Sequence, residues 1–258
     1  MAIRLYLAMT AAEIRENTGL PPKIAWMACH FSPYCTGLSN LPRVLAAGSV
    51  LMLDDVTPIF HHDPEQIAAQ LRERTGALDC GGVLLDLQRP GYPETAELAK
   101  YLAEALPCPV AVSEPYARGL SCPVFLPPVP HHVSPEAYFA PWQGREIWLE
   151  AALDAEEITL TPQGAAFAPL PPGAAVPEGF AEESLHCHYS VAVEADAARF
   201  TLWRTAEDLN ALLAEAERHG VTTTVGLYQE LSGIYPPVPE KTDHLSENAG
   251  FSKVTMLS

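Results

Sequence analysis

The sequence predicts an α/β fold: a single, somewhat irregular (β/α)8 TIM-like barrel over residues 1–258, with a hairpin-rich antiparallel insertion around 146–204. Three observations carry this. Strand-like and helix-like segments alternate along most of the chain, which argues for a parallel sheet. About eight such strands over roughly 250 residues is the usual span of one such barrel. The alternative, an open doubly wound sheet, calls for a glycine-rich phosphate loop at the first strand-to-helix turn; Met9-Thr10-Ala11 stands there instead.

The elements follow in order. Residues 3–9 form a first strand, and Thr10 with Glu13 three residues on makes a capping box for the next helix. Pro21-Pro22 separates it from a second strand, Lys23 to His30. Ser39 to Ala47 reads as a short helix stopped by Gly48. A third strand covers 49–54, and Asp63-Pro64 opens a helix whose apolar face is Ile67, Ala68 and Leu71. The near-continuous apolar run 81–87 suits a fourth strand covered on both faces. The helix at 94–106 places Leu98 and Leu102 on one side. Strands at 109–113 and 122–127 stand so close that the helix between them shrinks to one turn, unless one of the two strands is absent. Ser134 caps a short helix.

Regularity then fails. A strand at 146–153, a hairpin at 157–169 turning near Gln163-Gly164, and strands at 188–193 and 199–204 make up the insertion. Thr205 and Asp208 cap a helix with Leu209, Leu212, Leu213 and Ala216 on one face and Gly220 as its stop. Val221 to Tyr228 is the last strand, and the polar tail from Pro236 is irregular.

Fifteen basic against 32 acidic residues leave a formal charge of −17. Nucleic acid and anionic membranes are repelled by such a chain and are not expected partners. The amino terminus lacks the pattern of a secretory leader, and no apolar run reaches the length of a membrane helix, so a cytoplasmic protein is expected. The six cysteines are too sparse for a disulfide scaffold and read as buried thiols. There is no GxxxxGK[ST] phosphate loop.

The active site of such a barrel lies at the carboxyl ends of its strands. Polar residues at those ends are therefore the candidates: His30, Asp54-Asp55, Asp86 with Gln88, Glu114 with Tyr116, and Glu230. Asp86 and Gln88 are two apart and face the same way. Cleavage of a glycosidic bond uses two carboxyl groups, one held protonated for the leaving group. Asp86 and Glu114 form the candidate catalytic pair, with Glu114 as acid; Gln88, Asp54, Tyr116, Glu230 and His30 are the candidate substrate contacts.

The run Gly82-Val83-Leu84-Leu85-Asp86-Leu87-Gln88 resembles the fourth strand of chitinase-like barrels of glycoside hydrolase family 18, which reads roughly D-G-x-D-x-D-x-E. The resemblance implies that Asp86 orients the acetamido group of a sugar. The final Glu of that pattern is the general acid; here Gln88 replaces it, and Leu84 replaces the preceding Asp. An amide delivers no proton, so the resemblance implies either a sugar-binding relative or an enzyme that has moved its acid.

The histidines offer a further alternative. His30, Asp54 and His131 could supply three metal ligands; His61, His62 and His132 could converge near the same rim, and His186-x-His188 adds a pair on one face of a strand. There is no HExxH and no His-x-His at the end of the first strand, so a metal-dependent hydrolase is the third choice, and no cofactor or metal is assigned. Ser113 lacks a GxSxG elbow, and adjacent Cys29 and His30 point to opposite faces of a strand. The expected function is a glycosidase-like barrel that binds, or binds and hydrolyses, a carbohydrate or similar small polar ligand at its rim; the alternatives are a non-catalytic carbohydrate-binding or structural protein and the metal hydrolase.

Overall fold

The computed structural model describes residues 3–16, 23–32, 37–56, 62–89, 92–171 and 173–234. The chain opens with β1 (Arg4–Met9), α1 (Ala11–Glu16), β2 (Ile24–Phe31), β3 (Leu38–Ser39) and β4 (Val50–Asp54). It continues with α2 (Pro64–Ala77), β5 (Gly82–Asp86), α3 (Pro93–Ala105), β6 (Val110–Ser113), α4 (Glu114–Ala117), β7 (Val124–Leu126), α5 (Pro135–Phe139) and β8 (Ile147–Glu150). An inserted block follows: β9 (Ala155–Thr161), β10 (Gly164–Pro169), β11 (Phe180–Glu182), β12 (Cys187–Val193) and β13 (Ala198–Trp203). The chain then returns through α6 (Ala206–Arg218), β14 (Val221–Leu227) and α7 (Tyr228–Leu231).

Eight parallel strands close the barrel in the order β1, β2, β4, β5, β6, β7, β8, β14, with β14 pairing back onto β1. Alternation along each strand divides the apolar residues in two. On β5, Val83 and Leu85 face the helices while Leu84 faces the barrel interior. The interior is filled by Tyr6, Phe125 and Trp148 set against the small Ala8, Ala25 and Ala111, with Val50, Leu84 and Val225. Large-against-small filling of this kind makes the barrel a packed core rather than a pore.

Local chemistry sets the helix starts. Thr10 and Glu13 exchange the capping-box bonds at α1. The Asp63 carboxylate accepts from the Glu65 amide at α2, and Thr205 and Asp208 form a full capping box at α6. The connection between β6 and β7 is the single turn α4, which accounts for the crowding of those two strands in sequence.

Two expectations are corrected. Residues 39–47 form no helix: Asn40 takes a left-handed backbone (φ 56°), the Trp26 indole holds its carbonyl, and Pro42 follows. Pro lacks the amide a helix interior needs. β11 was not foreseen. Of the segment read as an insertion, Ile147–Glu150 is the seventh barrel strand, and the extra five-stranded sheet runs over 155–203 in the order β10-β9-β13-β12-β11. The tail from Pro236, His61 and Cys35 lie outside the described residues.

Candidate active site at the barrel mouth

The strand alternation that packs the interior also sets the layer above it. Following Val50 and Met52 on β4, Asp54 points inward; following Leu84 on β5, Asp86 does; following Trp148 on β8, Glu150 does. The register puts Asp54 beside Asp86. A shift of register on β2 between Trp26 and Cys29 brings His30 level with Asp54. Its Nδ1 lies 2.7 Å from Asp54 Oδ2, while Cys29 turns outward among the helices. Burial pushes the Cys29 thiol up to about 12, helped by Asp54, so it is no nucleophile at neutral pH.

Asp86 accepts from the Gln88 amide at 2.5 Å. Burial holds its carboxyl above the ordinary value, as do Asp54 and Asp55, while Gln88 draws it back down. Glu150 is the more perturbed group. Burial pushes it up to about 7, and the charges of Asp86, Glu230 and Asp154 add to that. Asp86 and Glu150 therefore share one field at the mouth, and Glu150 is the carboxyl that holds a proton near neutral pH.

The other predicted residues fall into three places. Glu114 sits in the first turn of α4, about a third exposed, paired with Arg118 Nη2 at 3.2 Å. With Gln88, Ser113 and Pro127 it lines a small cavity of ≈ 100 Å³. Tyr116 is buried among the strands and helices, and its hydroxyl donates to the Arg89 carbonyl, tying α4 to the loop after β5. Glu230 accepts from the Leu153 amide and lines a larger cleft of ≈ 490 Å³ together with Asp154, Trp203, Arg204, Leu227 and Gln229. Leu227 also packs on the barrel interior, so this cleft adjoins the mouth. Asp55, buried, accepts from the Gln88 and Arg89 amides and clamps the β5 loop.

The described histidines do not gather at the mouth with His30 and Asp54. His30 lies on β2 and His131 follows β7, on opposite sides of the eight-strand ring. His131 lies 3.2 Å from Glu156, His186 2.7 Å from Glu215, and His188 2.8 Å from Asp208. These pairs stand where the inserted sheet meets the barrel. Among the described residues no group of three or more His, Cys, Asp or Glu could hold a metal ion. Trp148 fills the barrel interior, and Trp203 stacks on His188.

Sequence reasoning missed Glu150. The signal was present: an apolar run, Ile147-Trp148-Leu149, ending in a carboxylate, the same pattern that singled out Asp86. It was passed over because the segment was assigned to the insertion rather than to the ring.

No family model matches the chain, and no curated protein matches it. Solved structures do. The spore cortex-lytic enzyme SleL of Bacillus cereus superposes with a TM-score of 0.57 at 8% identity, covering 87% of this chain and 70% of that one. A chitinase of glycoside hydrolase family 18 from Cycas revoluta, bound to (GlcNAc)3, gives 0.55 at 10% identity, covering 87% and 94%. The chitinase of Chromobacterium violaceum gives 0.54 at 9%, covering 90% and 96%. The fold is that of the chitinase-like barrels. In this barrel Asp86 ends the fourth barrel strand and Gln88 lies two residues past it, at the strand to which the motif resemblance assigned them. At such low identity the likeness is one of fold, and function rests on the site itself. No helix among the described residues is long and apolar enough to cross a membrane.

Proposed function

We infer that the barrel mouth binds a glycan of the N-acetylglucosamine type and hydrolyses a glycosidic bond in it. The observation that carries this reading is Glu150, an inward-facing carboxyl pushed up to about 7 in the field of Asp86. Glu150 delivers its proton to the glycosidic oxygen as the bond from the anomeric carbon breaks; water then adds to that carbon and gives a proton to the Glu150 carboxylate, which restores the acid. Asp86, ionised and oriented by the Gln88 amide, stabilises the positive charge that develops on the sugar ring. Gln88 cannot act as acid, and Glu114 is engaged by Arg118; the proton donor is assigned to Glu150 for these reasons. The likeness to a chitinase solved with (GlcNAc)3 supports the choice of ligand.

The test is hydrolysis of (GlcNAc)4, read by new reducing ends. Glu150→Gln lowers kcat by roughly 10²–10⁴-fold while leaving the affinity in place. Glu114→Gln leaves kcat within a few-fold. In the parent protein kcat declines as pH rises past about 7, where Glu150 loses its proton. Unchanged turnover in Glu150→Gln defeats the assignment.

A second reading follows from Gln88. If the parent protein binds (GlcNAc)4 but releases no reducing ends between pH 4 and pH 8, the barrel is a carbohydrate-binding protein. Neither binding nor turnover removes the glycan reading altogether.

A further inference from the structure

The inserted sheet carries a feature unrelated to the barrel mouth. Its strand register lines up one face in rows. Phe167, Ile158, Phe200 and Val191 are consecutive cross-strand partners, and Ala165, Leu160, Ala198 and Val193 form the next row outward. The row nearer the barrel is Pro169, Glu156, Leu202, Tyr189 and Phe180. Glu156 is the one charged residue in these rows, and it is occupied by His131 and His132. The opposite face carries Glu157, Thr159, Arg199, Thr201, His188 and Ser190. The sheet is therefore amphipathic in the ordinary sense, with a face built to be buried.

The inner row meets the barrel: Leu202 is buried, and Cys187, on the same face, donates to the His131 carbonyl. The outer part does not. In the outer rows Phe167 is 55% exposed and Val193 80%, and Leu160 and Val191 are also exposed; Phe180, on the edge strand at the free end of the inner row, is 68% exposed. Apart from the edge of His132 against Phe167, no ring from the barrel reaches these outer rows among the described residues. Five large side chains this exposed present roughly 500 Å² of apolar surface, at the top of what a monomer ordinarily leaves bare.

We propose that this face is a homodimer interface, on which a second copy of the chain packs its own inserted sheet face to face. A sheet apolar on one side finds its natural cover in a second sheet about 10 Å away. Two identical faces whose outer rows carry no charge meet this need under a two-fold axis, since an isologous contact needs only one self-complementary patch. Two patches of roughly 500 Å² give about 1,000 Å², the lower bound of a stable specific interface. Each copy brings a formal charge of −17, so the dimer works against long-range repulsion that salt screens.

Analytical ultracentrifugation of the full chain over a range of concentrations tests this. The expected result is a monomer–dimer equilibrium that shifts toward dimer as salt is raised to about 0.5 M. Val193→Asp with Phe167→Asp, both at exposed positions, raises the dimer Kd by roughly 100-fold or more. Far-ultraviolet circular dichroism of this variant matches the parent, because both side chains are largely exposed in the monomer. A purely monomeric parent up to about 100 μM in high salt overturns the proposal. So does a dimer that the double variant leaves intact, since its interface would then lie elsewhere.

Discussion

The barrel and the inserted sheet use the same apolar strand vocabulary and bury it to different extents. In the barrel, Val50, Leu51, Val83, Leu84 and Ala111 are completely enclosed. In the sheet, Leu160, Val191 and Val193 stand in solvent. The difference is closure. A ring of parallel strands has its outer face covered by helices and its inner face by its own side chains, so both sets of positions are core. An antiparallel sheet has one apolar face and needs a second layer that the barrel supplies only at its near end. Stability is thus concentrated in the ring, and the sheet is where interaction surface is available.

The largest way to break this comparison is inside the ring. Trp148 is 1% exposed and spans the barrel interior beneath Glu150. Trp148→Ala leaves a cavity that rigid strands cannot close, and it costs about 3–5 kcal/mol in urea unfolding. A cost below about 1 kcal/mol would mean that the interior is loosely packed and that the layer above it is not rigidly held.

The next effect has the opposite sign. Glu150 is raised from 4.5 to about 7 in the folded chain. The folded state therefore binds its proton more tightly than the unfolded state. The favourable linkage is fully present below about pH 4.5 and is lost as pH rises through 7. At pH 8 the ionised Glu150 costs the fold up to about 3 kcal/mol. Glu150→Gln should recover much of that at pH 8, little at pH 4, and flatten the stability profile between. Gain of stability together with loss of turnover is the signature of a group held in an unfavourable state for chemistry. A variant that is inactive and also less stable at pH 8 would mark Glu150 as a structural residue.

The legibility of the sequence divides along the same line. Most barrel strands read clearly because they carry an apolar run followed by a helix start, as at 82–86 before Pro93 and 110–113 before Pro115; Ile147–Glu150, read with the insertion, did not. The capping boxes at Thr10 and Thr205 located two helices through chemistry confined to four residues. The helix expected at 39–47, with Gly48 as its stop, gives way to Asn40 and Pro42, whose backbone demands prevail. Candidate site residues were legible one strand at a time: the inward placement of Asp54 and Asp86 followed from period two. Which carboxylates share a field depends on ring closure. Only closure brings β8 round to face β5, so Glu150 could not be matched with Asp86 until the ring was built. The extra layer was hardest to read because its strands obey a hairpin order that local spacing reveals while the outer rows of their apolar face are left largely uncovered by the described residues.

The smallest effect sharpens the comparison most. Leu160 lies in the outermost row of the sheet and is 42% exposed. In a monomer, Leu160→Ser changes unfolding stability by no more than about 0.5 kcal/mol, as exposed substitutions generally do. In a dimer the same residue is covered, and its loss is felt in proportion to the fraction assembled. Unfolding midpoints of parent and variant measured at low and high protein concentration separate the two states. A difference near zero when dilute that grows with concentration shows that the bare face of the sheet is core in the assembled form. A large difference that ignores concentration would instead place Leu160 in the monomer core, and the contrast between the closed ring and the open sheet would fail at its outermost row.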